Sequence, residues 1–147
     1  MTEKEKNDIF YVCSLIEFTA RQTKNRRCVI VEALGEKGIE KQLYDAEVNH
    51  CLSFEQVSDE MIAQYHIAQG EFDTITDCKY TIPSFMDIGK LYGIMIEDCA
   101  EEGNEVSELM NIFKSFISDE ISDFQTDVYY QNPSYLECSY RAGHLLD

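Results

Sequence analysis

Two groups of ionisable residues in this 147-residue chain have the types and spacing to do chemistry. One is a carboxylate series, Glu101, Glu102, Glu105 and Glu108, continued by Asp119, Glu120, Asp123 and Asp127. The other is the cluster Arg21, Lys24, Arg26 and Arg27, whose four cations lie close enough together to contact phosphates or carboxylates. An acidic series of this density can steer a basic protein toward its surface. It can also simply be the solvated side of amphipathic helices.

Metal chemistry finds little support in the spacing. Asp119, Asp123 and Asp127 recur every four residues, which on one continuous helix would align three carboxylates on its solvent side. Glu47 and His50 form a single Glu-x-x-His pair, whereas a di-metal bundle needs that motif twice plus further carboxylates. No calcium-loop pattern occurs, so no metal or cofactor is expected. Clustered phosphate-loop glycines are also absent.

Nucleophilic catalysis would need a cysteine or serine beside a base. His50 and Cys51 are neighbours in sequence, and adjacent helical side chains do not face each other. A small enzyme or ligand-binding protein would have to gather His50, Cys51, His66, Cys78 and Asp87 into an interhelical pocket, which depends entirely on the fold.

Charge is divided unequally along the chain. Residues 1–41 carry eight basic and seven acidic residues, net +1, whereas residues 42–147 carry four basic and twenty-one acidic residues, net −17. A total of −16 opposes approach to a polyanion, so direct nucleic-acid binding is not expected. The expected function is therefore non-enzymatic: a protein-binding or regulatory chain of the antitoxin, immunity or inhibitor type, presenting its acidic C-terminal half to a basic partner. Tyr129, Tyr130, Tyr135 and Tyr140 are candidate anchors beside those acids. The basic cluster is expected at a helix end, docked onto acids of its own chain or of a second copy.

The elements that must position these residues read as helices. Ile9, Val12, Cys13, Ile16 and Ala20 mark an apolar stripe over residues 5–23, with Glu5, Glu17 and Arg21 elsewhere on the wheel. Residues 28–34 are apolar and β-branched, leaving strand possible up to Gly35, and residues 36–48 return to helical spacing. Ser53 with Gln56 and Ser84 with Asp87 are capping-box patterns opening two further helices. The second, carrying Ile88, Leu91, Tyr92, Met95 and Cys99, is so apolar that a central position is expected. Residues 71–82 suit a short β-hairpin or an extended loop. A long stripe runs from Val106 to Phe124, and Asn132-Pro133 opens a closing helix.

These elements predict a mainly α chain, one compact domain over 1–147 built as a bundle of about six helices. No apolar run approaches the ~20 residues that span a bilayer, and no secretory pattern opens the chain, so a cytoplasmic protein is expected. The six cysteines contain no C-x-x-C pair and are expected as buried thiols rather than disulfides.

Overall fold

The computed structural model describes residues 1–147 as seven α-helices and one 3₁₀ turn, with no strand. The helices are α1 (Glu3–Thr23), α2 (Arg27–Asn49), α3 (Phe54–Gln64), α4 (Phe85–Cys99), α5 (Glu105–Lys114), α6 (Phe116–Ser122) and α7 (Pro133–Ala142); Val128–Tyr130 form the 3₁₀ turn. No helix is long and apolar enough to cross a membrane.

Helix starts follow side-chain chemistry. Thr2, Ser53, Ser84 and Asn132 each accept a backbone N–H of the first turn, and Ser84 with Asp87 completes a reciprocal capping box. Lys24 closes α1 in the left-handed conformation, φ 54°, its N–H bonded to carbonyls of the last turn. α2 contains a break at Gly35, φ 66°, between helical segments. The 28–34 segment is helix rather than strand. Ile30, Val31 and Leu34 are buried in the core, and that burial outweighs the small helical penalty of β-branched residues.

The stripe from Val106 to Phe124 is likewise interrupted. Ser115 adopts an extended backbone, φ −81° and ψ 167°, and its hydroxyl donates to Ile112 O at 2.8 Å, separating α5 from α6. Residues 65–84 hold no hairpin and run as an irregular segment of turns and bends. Part of it is stitched to the end of α1: Gly70 N donates to Thr23 O at 2.8 Å, and Phe72 N donates to Lys24 O at 2.9 Å.

One apolar cluster draws on every helix. α1 and α4 share the most extensive contact, with α2 and α3 against α1, and α5 and α7 against α4. α1 is thus as central as α4, and eleven of its residues are buried, Glu17 among them. The two axes come close because Gly89 of α4 lies over Ser14; a Cβ there would stand 2.7 Å from Ser14 N and 2.0 Å from its Oγ. Tyr92 and Phe113 stack with centroids 4.1 Å apart, joining α4 to α5. Phe54 and Phe85 meet edge to face at 4.9 Å, joining the starts of α3 and α4.

All six cysteines are free, but only Cys13 is buried; Cys51 and Cys138 are exposed and the others half-buried. The expectation of buried thiols therefore holds for one position. Cys51 falls in the turn after α2, and Cys138 on the outer side of α7.

Candidate functional site

The basic cluster sits where α1 ends and α2 begins, and it meets acids of its own chain. Arg27 is 3% exposed. Its Nε donates to Glu17 Oε1 at 2.6 Å and its Nη2 to Glu17 Oε2 at 3.3 Å. Nη1 reaches Tyr92 Oη at 3.1 Å, Ser118 O at 2.8 Å and Ser122 Oγ at 2.7 Å. Arg21 Nε shares Glu17 Oε2 at 2.8 Å, while its Nη2 donates to Pro83 O at 2.7 Å. Arg26 pairs with Asp119 at the surface. Lys24 has Asp73 as its one carboxylate neighbour within 4 Å, at 3.8 Å.

These contacts explain the electrostatics. Burial works against the Arg27 charge, but Glu17 and the Tyr92 hydroxyl outweigh it and raise its pKa further. Tyr92 is pushed up to about 12 by burial, partly opposed by Arg27. Asp73 is held at about 2 because Thr76, through both hydroxyl and backbone N–H, and Ile75 N–H donate to its carboxylate.

A cavity of about 330 Å³ opens beside this network. Its polar wall includes Arg21, Lys24, Arg27 and Asp73, and its apolar wall Phe72 and Phe124.

Two members of the acidic series, Glu105 and Asp119, lie in different places. Glu105 lines a cleft of about 170 Å³ with Glu5 and Asp8 of α1, floored by Ile9, Leu43 and Val106. Asp119 is instead bound to Arg26, just past the other end of α1. Glu5 and Arg21 are separated by about 24 Å of helix at 1.5 Å per residue. Glu105 and Asp119 thus lie near opposite ends of α1. α6 ends at Ser122, so Asp119, Asp123 and Asp127 do not form a helical row; Asp123 caps that helix and accepts Gln125 N at 3.2 Å. Glu101, Glu102, Glu105, Glu108, Glu120, Asp123 and Asp127 make no ion pair.

The acidic end gathers further carboxylates. Lys6 reaches Glu97 at 3.0 Å, fastening the start of α1 to the end of α4. Glu137 of α7 is buried, with Oε1 unpartnered. Removal from water, reinforced by the neighbouring Asp98 carboxyl, lifts it to about 7.

The five residues of the enzyme alternative are not assembled by either cavity. His50 is exposed and lies against the Tyr11 ring, centroids 4.5 Å apart. Cys51 is exposed in the adjoining turn, His66 is exposed after α3, and Cys78 is half-buried in the 65–84 segment. Asp87 is spent on the α4 cap. No three histidine, cysteine, aspartate or glutamate side chains converge as a metal-binding group. Of the candidate tyrosine anchors, only Tyr130 is well exposed; Tyr135 Oη donates to Leu146 O at 2.7 Å.

Glu17, Tyr92, Ser118 and Ser122 carry the Arg27 network without any motif to announce them. The wheel position of Glu17 sets it apart from the apolar stripe of α1, yet it is buried, because Arg27, ten residues on, turns inward to pair with it. In comparisons with known proteins, no family model matched, and neither a curated protein nor a solved structure matched.

Proposed function

We propose that this chain is a non-enzymatic binding protein that receives a basic partner protein at its acidic end. The observation carrying this reading is the cleft of about 170 Å³ lined by Glu5, Asp8 and Glu105 together with Ile9, Leu43 and Val106. That composition matches a lysine or arginine side chain, whose aliphatic stem suits the apolar floor and whose cationic head suits the carboxylates. Lys4 offsets Asp8 at 2.8 Å, but Glu5 and Glu105 have no cationic partner, leaving net negative charge to be matched from outside.

Beside the cleft, the outer side of α2 supplies apolar contact. Leu43 lines the cleft, while Tyr44 and Val48 are 86% and 72% exposed one turn apart. An exposed tyrosine next to a charged cleft suits the anchor of a protein interface. The unpaired carboxylates at Glu101, Glu102 and Glu108 would extend the field that steers a basic surface.

The test is affinity capture from a native lysate, with the wild-type chain and an E5K/E105K variant as baits at low and high salt. A basic protein held by the wild type at low salt, released at high salt and lost with the variant supports the reading. Failure to retain a protein at low salt, or retention indifferent to salt and to the variant, overturns it.

A further inference from the structure

The cavity at the far end of α1 has the chemistry of a second, different site. Three of its lining residues are cationic, Arg21, Lys24 and Arg27, against two carboxylates, Glu17 and Asp73. The lining thus carries a local excess of one positive charge in a chain of net charge −16.

Both carboxylates are already occupied. Glu17 Oε1 accepts Arg27 Nε, and Glu17 Oε2 accepts from Arg21 Nε and Arg27 Nη2. Asp73 Oδ1 accepts Ile75 N and Thr76 N, each at 2.9 Å, and its Oδ2 accepts the Thr76 hydroxyl. Donors remain in surplus. Arg21 uses Nε and Nη2, which leaves Nη1 free, and Lys24 Nζ stands 3.8 Å from Asp73, beyond hydrogen-bonding distance. The wall is also built rather than incidental. Besides the backbone bonds from Gly70 and Phe72, Asn25 Nδ2 donates to Ala68 O at 2.8 Å, holding residues 68–72 against the end of α1.

We propose that this cavity binds a small organic acid carrying one negative charge and an apolar body. Its carboxylate would take the spare donors of Arg21 and Lys24, each contact being a charge-assisted hydrogen bond. Its body would lie against Phe72, Ile75 and Phe124, the apolar part of the lining. A volume of about 330 Å³ falls within the ordinary range for small-molecule sites. One negative charge balances the local excess, whereas a dianion would leave uncompensated negative charge inside an already acidic protein.

Benzoate, benzamide and inorganic phosphate distinguish the possibilities when titrated separately into the isotopically labelled full chain and followed by amide chemical shifts. The expected result is saturable movement of the Lys24, Phe72, Thr74 and Phe124 amides with benzoate and none with benzamide. A Lys24→Gln variant should bind benzoate about tenfold more weakly, the loss of one charge-assisted contact. Lys24 is exposed, so the variant should retain wild-type circular dichroism. The wild-type comparison of benzoate with benzamide stands whether or not that variant folds. Absence of saturable shifts with benzoate, equal shifts with benzamide, or equal shifts with phosphate overturns the proposal.

Discussion

Arg27 and Glu17 face each other inside the helical core, Nε and Oε1 2.6 Å apart and both side chains almost wholly removed from water. The pair joins the end of α1 to the start of α2, and through Tyr92, Ser118 and Ser122 it also ties in α4 and α6. A charge buried this way is tolerable only while its partner is present. Glu17→Gln is therefore expected to destabilise the fold by about 3–5 kcal/mol, measured as a lowered urea midpoint at unchanged slope. Asp119→Asn, which breaks the solvent-exposed pair with Arg26, should cost less than about 1 kcal/mol. Equal losses from the two variants would contradict the role assigned to burial.

Glycine positions on α4 separate in the same way. Gly89→Ala forces a methyl group against the Ser14 backbone, where the nearest main-chain atom would be 2.7 Å away, and is expected to cost about 1–3 kcal/mol or more. Gly93→Ala meets nothing nearer than Phe10 Cα at 3.8 Å, so the better helix former should stabilise by up to about 1 kcal/mol. Thermal denaturation of the two variants should shift in opposite directions.

Stability should also respond to pH through Glu137. Its native pKa, raised from 4.5 to about 7, means that the folded chain holds a proton the unfolded chain has released between those values. The unfolded state then binds fewer protons, so this group's contribution is full below pH 4.5, declines up to about pH 7, and is flat above. Glu137→Gln should remove that component, making the denaturation midpoint fall less between pH 5 and pH 7 than in the wild type, at about constant ionic strength. Parallel curves for the two proteins would show that Glu137 titrates normally.

Thiol reactivity offers a direct check on packing. Cys51 and Cys138 should be alkylated first by iodoacetamide under native conditions, with modification located by mass spectrometry. Cys13 should react only after unfolding, since it is inaccessible and burial drives its pKa upward. Early modification of Cys13 would be incompatible with its place on the buried side of α1.

Much of the helical pattern was legible because its causes are local. Ser84 and Asp87 form their cap within one turn, Asn132-Pro133 starts α7, and the Ile9 to Ala20 stripe lies on one helix. Gly35 was legible as a stop for a similar reason, since its positive φ interrupts the helix at the residue itself. Local patterns were ambiguous at Cys28–Leu34, where β-branching left strand possible, and misled at Ser115, where an unbroken apolar stripe concealed a break between α5 and α6.

The candidate sites depended on contacts far apart in sequence. Ionisable residue types, the net charge and its division between the two parts of the chain follow from the sequence alone, and so do the helical periodicities. Tertiary packing decided which carboxylates met which cations. Glu105 joined Glu5 and Asp8, Asp119 joined Arg26, and Glu17 was drawn inside with Arg27. The reason is physical: a side chain's charge is encoded at its position, but its desolvation and its partner are set only when helices from distant positions pack together.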